Sequence, residues 1–435
     1  MLKILILGWG LSFSLFAKNS INFNPDRILV KVRDVKVVKS LKNKIRYKNL
    51  FENWYVLHTQ NHDALIKELE ITEDIITFEK DYKAEKKFLP HIVEMSTINK
   101  QSSSKNENYF NDPEVSKVWS FEDKTKNGSS IYKAYQSPFP PSSQEIIVAV
   151  VDTGVDFNHE DLRDVMWINK NEIPDNNIDD DNNGYIDDIH GINTLKRDRN
   201  GNATGKINDT HSHGTHVSGT IGATQNNNIG IAGIASNVKI MGIRTVPNSG
   251  DELDVDVVES FLYAAKNGAK IINCSFGKKR NEGGQAVKEA IDFIGKEYGT
   301  LVIAAAGNDS KDIDLRLSYP ASFKSSNLMV IASTTSRGGL SFFSNFGKKN
   351  VDLAAPGSSI YSLTPGNKYG WMSGTSMASP TAAGIAAEVW SRFPSLSLLE
   401  LKEVLMKTVI KSRKINRAMV SQGRIDLYSA LKFLD

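Results

Sequence analysis

This sequence of 435 residues is almost without cysteine, because Cys274 is the only one. A single thiol excludes an intramolecular disulfide, so the fold needs other means of stabilisation. The 53 basic and 50 acidic side chains nearly balance and no basic tract stands out, which argues against a nucleic-acid-binding function. Outside the amino-terminal segment the sequence has no long apolar run, so it predicts no transmembrane helix there.

Two strand-like segments end in polar side chains. The apolar run 147–151 is typical of a buried strand, and Asp152 follows it directly. A second buried strand over 302–306 leads through a glycine into Asn308. Because ligands gather at the carboxyl ends of parallel strands, we expect both side chains at one functional edge.

Two helices are predicted to begin with reactive side chains. His213 opens a segment of small residues, and Ser376 follows Gly374 at the start of another. The first turn of a helix offers unpaired backbone N–H groups and a positive dipole end, which stabilise an oxyanion. An acid, an imidazole, a hydroxyl and an amide are the groups that a nucleophilic hydrolase with an oxyanion hole requires.

These motifs, in the chain order Asp, His, Ser, resemble those of the subtilase family of serine proteases, and the resemblance covers residues 111–431. It implies that Ser376 is the nucleophile, that His213 is the general base and then the general acid, and that Asp152 orients His213. It also implies that the Asn308 side chain stabilises the oxyanion together with the backbone N–H of Ser376. In the family, the edge corresponding to Ser275, Phe276 and Gly277 pairs with the backbone of the polypeptide substrate.

Other interpretations exist for each motif. The sequence Asp-Thr-Gly at 152–154 is also an aspartic-protease signature, but that chemistry needs two carboxylates and this chain has one copy, so only a homodimer would supply the second. Three closely spaced histidines, His211, His213 and His216, are also typical of a zinc site. No acidic zinc motif or cysteine partner accompanies them. Asn308 could simply end a strand in a turn, and Ser376 could simply cap a helix.

The first 17 residues are typical of an export signal. Lys3 precedes an apolar run that extends to Phe16, and Ala17 fits a cleavage position. The alternative is a buried helix or an uncleaved anchor. We expect a secreted or periplasmic protein without stable membrane insertion after the signal is removed.

Residues 18–90 form a segment of different character, with a small α+β pattern. Strands are expected at 27–32, 54–57 and 75–78, and a helix at 64–69. The segment resembles the inhibitory propeptide of subtilases; the alternative is an independent accessory domain. A polar linker at 91–110 would then carry the cleavage site, and residues 111–435 would be the peptidase domain.

An acidic loop predicts a calcium site. The pattern Asp-x-Asp-x-Asn-Gly matches the first half of an EF-hand loop. The glutamate of position twelve is replaced by His190, so the loop is not an EF-hand, and a solvated acidic loop is the alternative. The candidate ligands are Asp179, Asp181 and Asn183.

A second calcium site rests on the family resemblance alone. Asp161 follows the catalytic acid at the family spacing, and Asp112 resembles an amino-terminal ligand, with a simple turn before Pro113 as the alternative. Asn227 lies in a loop that resembles the family's calcium loop but is one residue longer than in subtilisin.

Strands that alternate with helices predict an α/β fold, a doubly wound parallel sheet flanked by helices, subtilisin-like and preceded by the small α+β domain. Helices are expected at 254–267, 285–298, 397–408 and 424–434, and Tyr319-Pro320 resembles the family's cis-proline turn. We expect a monomeric serine endopeptidase that cleaves polypeptides through an acyl-enzyme and is made as a self-inhibited precursor. The alternative is a catalytically silent subtilase fold used for protein binding.

Overall fold

The computed structural model describes residues 23–41, 45–83, 109–199, 201–250, 252–279 and 284–435. The predicted export signal, most of the predicted linker and the last residues of the predicted propeptide lie outside these ranges. Within them, no helix is both long enough and apolar enough to span a bilayer.

The described residues between 23 and 83 form a small unit, called here the amino-terminal unit. Its antiparallel sheet has the order β2-β3-β1-β4. The predicted strands and helix are present, together with a short helix and an edge strand that the sequence analysis missed. The elements are β1 (Phe23–Val32), α1 (Val35–Ser40), β2 (Arg46–Phe51), β3 (Trp54–His58), α2 (His62–Glu70) and β4 (Ile75–Tyr82).

The rest of the described chain is built around one large sheet. Its strands, with the small pairs beside it, are β5 (Ile146–Asp152), β6 (Gly191–Arg197), β7 (Ala203–Thr204), β8 (Val238–Arg244), β9 (Ile271–Cys274), β10 (Lys278–Lys279), β11 (Leu301–Ala305), β12 (Ser318–Tyr319), β13 (Leu328–Thr334), β14 (Leu353–Pro356), β15 (Ile360–Thr364), β16 (Lys368–Met372), β17 (Ile410–Lys411) and β18 (Gly423–Arg424).

The α-helices of this part are α3 (Ile131–Tyr135), α4 (His213–Gly222), α5 (Asp254–Lys266), α6 (Gln285–Tyr298), α7 (Thr375–Arg392), α8 (Leu398–Lys407) and α9 (Leu427–Leu434). Short 3₁₀ turns lie at Val115–Lys117, Trp119–Phe121, Lys124–Lys126 and Arg163–Val165.

The large sheet has the order β17-β18-β14-β13-β11-β9-β5-β8-β6-β7. From β14 to β6 all neighbouring strands are parallel. Alternate residues of the central strand β5 face opposite sides. Val148 and Val150 pack in the core that contains α4 and α7, whereas Ala149 and Val151 pack in the core that contains α5 and α6. The predicted doubly wound α/β fold is therefore confirmed, and so is the cis peptide at Tyr319-Pro320.

Candidate active site

Asp152 and His213 meet at the carboxyl edge of the sheet. Asp152 is the last residue of β5, and His213 is the first residue of α4. The imidazole Nδ1 lies 2.6 Å from Asp152 Oδ1, and each residue is 1% exposed. Since an ionised carboxylate only accepts hydrogen bonds, Nδ1 carries the proton and Nε2 presents its lone pair. Nε2 is buried and has no hydrogen-bond partner among the described residues.

Glycine at position 214 permits this approach. A Cβ atom there would lie 2.0 Å from the carbonyl oxygen of Gly154, so any side chain would push α4 away from the end of β5. The Gly214 N–H donates to Thr153 Oγ1 at 3.0 Å, which fixes the first turn of α4 beside Asp152.

Ser376 is held at the second position of α7 by Ser275, which follows β9. The Ser376 hydroxyl donates to the Ser275 carbonyl at 3.1 Å, and the Ser275 hydroxyl donates to the Ser376 carbonyl at 3.1 Å. Pro380, four residues on, has no N–H to offer the Ser376 carbonyl, so the Ser275 hydroxyl takes the place of the missing helical donor. In this arrangement the Ser376 hydroxyl bonds to Ser275, and a rotation about its Cα–Cβ bond is needed to direct it elsewhere.

Asn308 is oriented by Thr375, the first residue of α7. The Asn308 Oδ1 atom accepts from the Thr375 backbone N–H at 2.8 Å and from its hydroxyl at 2.9 Å. The Gly307 N–H in turn donates to the Thr375 hydroxyl at 3.0 Å. The sequence analysis missed Thr375, and its position next to Ser376 was the only available signal.

His216 has a structural environment. Its Nε2 lies 3.0 Å from the Ile360 carbonyl and 3.2 Å from the Gly370 carbonyl, so this nitrogen carries the proton. In the described part of the chain, the only side chains grouped closely enough to hold a metal ion are acidic and do not include His211, His213 or His216.

Because His216 is buried, we expect the free energy of unfolding to fall in acid. Burial lowers its pKa to about 3, below the value of about 6.5 that the unfolded chain has. The unfolded chain therefore binds more protons below pH 6.5, and the free energy of unfolding falls as the pH falls. At pH 5 this group alone accounts for about 2 kcal/mol.

The measurement is the free energy of unfolding between pH 7 and pH 5, on chains that carry Ser376→Ala to prevent self-digestion. His216→Gln keeps an N–H donor for the two carbonyls and removes the titration, so its profile should be flatter by about 2 kcal/mol. Parallel profiles would contradict the assignment.

Asp112, Asp161 and Asn227, the ligands predicted by resemblance, lie together. The Asn227 backbone N–H donates to Asp112 Oδ1 at 3.2 Å, and its side-chain Nδ2 donates to Asp161 Oδ1 at 2.8 Å. Burial, and to a smaller degree the charge of Asp112, raise the pKa of Asp161 to about 7. Only hydrogen bonds from described residues offset this cost. Two buried carboxylates that have no cationic partner among the described residues fit a calcium ion, which prefers oxygen ligands.

The acidic loop brings Asp179 and Asp181 together with a further acid, Glu172. Oxygen atoms of Glu172, Asp179 and Asp181 lie within 4.8 Å of one another, a spacing that suits a metal ion. Asn183, a predicted ligand, turns its side-chain nitrogen toward the Asp181 and Asp188 carboxylates, at 3.1 and 3.0 Å. The sequence analysis missed Glu172, because its distance from the motif gave no signal.

Comparison with known proteins identifies the family of this chain. The sequence profile of the subtilase family, Peptidase S8, matches residues 143–424. The thermophilic serine proteinase of Bacillus sp. strain AK1 is 33% identical over 292 residues, which are 67% of this chain and 62% of that protein. Thermitase of Thermoactinomyces vulgaris is 34% identical over 286 residues, which are 66% of this chain and 88% of that protein.

Subtilisin-like protease 1 of Plasmodium berghei is 28% identical over 78% of this chain, which corresponds to 57% of that protein, so the chain spans little more than half of that relative. Among solved structures, fervidolysin from Fervidobacterium pennivorans aligns with 95% of this chain and 62% of its own, at a TM-score of 0.72 and 22% identity. That likeness extends over the amino-terminal unit as well as the large sheet. On the extent of the profile match and the identity to these relatives, the chain belongs to the subtilase family.

Proposed function

We propose that this chain is a serine endopeptidase in which Ser376 attacks the peptide bond, His213 transfers the proton and Asp152 orients His213. The observation that carries the proposal is the buried pair of Asp152 and His213, whose outer nitrogen, Nε2, has no partner in the described residues. A buried imidazole in that tautomer is prepared to accept a proton.

The reaction begins with a rotation of the Ser376 hydroxyl from the Ser275 carbonyl toward His213 Nε2. As Oγ bonds to the substrate carbonyl carbon, its proton passes to Nε2, and the carboxylate of Asp152 stabilises the imidazolium. His213 then donates this proton to the departing amine as the carbon–nitrogen bond breaks. Water completes the cycle by the same route and releases the acyl group from Ser376.

The negative charge of the tetrahedral intermediate develops on the former carbonyl oxygen. The Asn308 side-chain N–H and the Ser376 backbone N–H are proposed to donate to it. Thr375 supports this role, because its two hydrogen bonds to Asn308 Oδ1 direct the amide oxygen toward α7. A donor that is fixed before the reaction stabilises the charge without reorganisation.

The test is hydrolysis of an unfolded protein by the matured chain. Ser376→Ala should abolish it, whereas Ser429→Ala on α9 should leave it unchanged. A folded matured chain that binds unfolded protein without cleaving it would instead support the catalytically silent binding fold.

We further propose that the amino-terminal unit inhibits the peptidase domain. Glu79 of β4 accepts three backbone N–H groups at the start of α6, from Gly284, Gln285 and Ala286, at 3.0–3.3 Å. Asp81 accepts the Val255 N–H in the first turn of α5 at 3.0 Å. Carboxylates at these positions satisfy the unpaired donors of both helices.

Arg27 adds a buried ionic contact to the same interface. Its guanidinium lies 2.6 Å from Asp81 in its own unit and 3.0 Å from Asp256 on α5, and its side chain is 8% exposed. Lys48 makes a second contact, with Glu259 at 2.9 Å. An extensive polar interface of this kind supports an inhibitor that stays bound after the linker is cut.

Arg27→Met is expected to weaken inhibition of the matured enzyme by the separate amino-terminal unit about 100-fold. Removing Arg27 leaves the carboxylates of Asp81 and Asp256 desolvated, and the loss of one partner of a buried ion pair costs about 3–5 kcal/mol. Arg197 offsets part of this cost because it also contacts Asp256. The measurement is the inhibition constant. Lys36→Met, which removes an exposed lysine of the same unit, is the control, and equal inhibition constants for the two variants would contradict the proposal.

The domain boundaries proposed are an export signal at 1–17, the inhibitory unit at 18–90, a linker at 91–110 and the peptidase domain at 111–435. The protein is proposed to act outside the cytoplasm as a monomer on polypeptide substrates. Lys3 and the apolar run after it support export. Amino-terminal sequencing of the exported and matured forms would locate both cuts.

We propose that calcium stabilises the peptidase domain. Asp112 and Asp161 with Asn227 would hold one ion, and Asp179 and Asp181 with Glu172 would hold another, with Asn183 supporting the loop. A bound cation supplies the positive charge that these carboxylates lack and links loops that are distant in sequence.

Saturating calcium is expected to raise the Tm of the Ser376→Ala chain by roughly 5 °C, since a ligand at 100 times its Kd contributes about 2.7 kcal/mol. Asp161→Asn should remove a large part of this shift. Asp292→Asn, which changes a partly exposed acid paired with Lys288 on α6, away from both sites, should keep it. An unchanged shift in the Asp161 variant would refute the first site.

A further inference from the structure

A cavity lies between the amino-terminal unit and the peptidase domain. Its volume is about 400 Å³, which is within the range of small-ligand sites in proteins. The lining includes three arginines and one histidine: Arg27, Arg46, Arg197 and His58. It includes none of the residues proposed for catalysis or for calcium binding.

Three of these four side chains share one face of the amino-terminal sheet. His58, the last residue of β3, lies directly opposite Arg27 of β1 on one side and Arg46 of β2 on the other. Residues that lie directly opposite each other in an antiparallel pair point to the same face of the sheet. Because the Arg27 guanidinium contacts Asp256 of α5, this face is the one that meets the peptidase domain.

The peptidase domain supplies the fourth side chain, Arg197, from the end of β6. Gly201 lies against both Arg197 and Arg46. Its carbonyl accepts a hydrogen bond from Arg197 Nη1 at 3.0 Å, and Arg46 Nη2 lies 3.0 Å from the position that a Cβ atom on Gly201 would take. Two guanidinium groups, one from each unit, therefore approach the same backbone segment.

Arg46 has no counter-ion among the described residues. The ion pairs around the cavity join three cations to three carboxylates: Arg27, Arg197 and Lys48 to Asp81, Asp256 and Glu259. Arg46 forms no ion pair or hydrogen bond with any described residue, including the two other acids of the lining, Asp26 and Asp198. Asp26 is exposed, and Asp198 accepts the Asn202 N–H at 2.8 Å. The donors of the Arg46 guanidinium are therefore available to a ligand.

The surroundings of His58 show which sign of charge prevails in the cavity. Burial is the largest cause that lowers the pKa of His58 to about 4, and the charges of four cations add to it: Arg46, Arg27, Arg197 and Lys48. The His58 ring forms no hydrogen bond with a described residue, so its N–H is available as a donor. A positive potential and donors without partners favour an anionic ligand.

We propose that this cavity binds a tetrahedral oxyanion, phosphate or sulfate, held chiefly by Arg46, with Arg197 and His58 as further donors. The planar fork of a guanidinium suits two oxygens of such an anion. The bound anion supplies the negative charge that Arg46 lacks and connects the amino-terminal unit to the peptidase domain. The site is a property of the contact between the two units and does not depend on the reactivity of Ser376.

The test is titration calorimetry of the full chain, carrying Ser376→Ala, with inorganic phosphate and with inorganic sulfate at constant ionic strength. The chain is expected to bind at least one of the two anions, and the one with the lower Kd identifies the ligand. Arg46→Met should raise that Kd by at least about 10-fold, because charge-assisted hydrogen bonds are lost. Since Arg46 is exposed and has no partner among the described residues, this change should leave the fold intact.

Lys36→Met is the matched control, because it removes the same charge from an exposed side chain of α1 in the same unit. Its Kd should equal that of the chain with Ser376→Ala alone. The proposal is wrong if that chain binds neither anion, or if Arg46→Met and Lys36→Met bind it equally well. Neither result depends on peptide hydrolysis, so a failure of the proposed peptidase function would be seen separately.

Discussion

Replacing His213 by alanine is expected to lower kcat of the matured enzyme by about 10⁶-fold, the size of loss that follows removal of the base in triad hydrolases. The reason is that Nε2 is the acceptor proposed for the Ser376 proton, whereas Asp152 contacts the opposite ring nitrogen, Nδ1, and is not proposed to contact the serine. The measurement is kcat on a peptide substrate, with KM expected to change little.

The double variant His213→Ala with Ser376→Ala provides the control. Residues that act as one unit are not additive, so the double variant should be about as slow as either single variant. A His213 variant that retains a tenth of the activity would contradict the assignment of His213 as the base. A double variant far slower than both single variants would show that the two residues act independently.

Replacing Asn308 by leucine is expected to lower kcat by about 10²–10³-fold with little change in KM. The lost N–H donor acts on charge that appears only in the transition state, so ground-state binding is largely retained. Leucine has nearly the same volume, but it also removes the acceptor for Thr375.

Two controls separate these effects. Thr375→Val removes one of the two hydrogen bonds to Asn308 and should have a smaller effect than Asn308→Leu. Asn158→Leu, on an exposed loop, should leave kcat unchanged. A loss in Asn308→Leu confined to KM would exclude the oxyanion role.

Much of the central fold could be predicted because local signals are strong there. The run of β-branched residues before Asp152 gave a strand in the sequence analysis, and the structure ends β5 at that residue. Helix α4 begins at His213, as expected, and α6 spans the predicted residues 285–298. In each of these segments the spacing of the apolar residues and the residues that end a strand or helix predict the same boundaries.

The elements that were missed have weak local signals. Strand β2 lies at the edge of its sheet and has four partly or fully exposed residues of six, so no alternation of apolar and polar residues marks it. Helix α1 has only six residues, too few for a helical period. Strand β2 and helix α1 form because they pack against the rest of the amino-terminal unit, and such packing cannot be predicted from their own residues.

The details of the site depend on contacts between distant segments. The bond from the Ser275 hydroxyl to the carbonyl of Ser376 joins residues 101 positions apart, at a carbonyl for which Pro380 provides no helical donor. Glu172 joins the acidic cluster through the course of its loop. No sequence period encodes such contacts, so the roles of Thr375, Pro380 and Glu172 emerge only from the structure.

The central claim is that Ser376 is an activated nucleophile, and the most direct measurement is the peptide mass of the matured protein after treatment with a fluorophosphonate in calcium. The account predicts one adduct, on Ser376, which is lost in His213→Ala. A folded chain free of its amino-terminal unit that takes up no adduct, or takes it up equally without His213, would contradict the account.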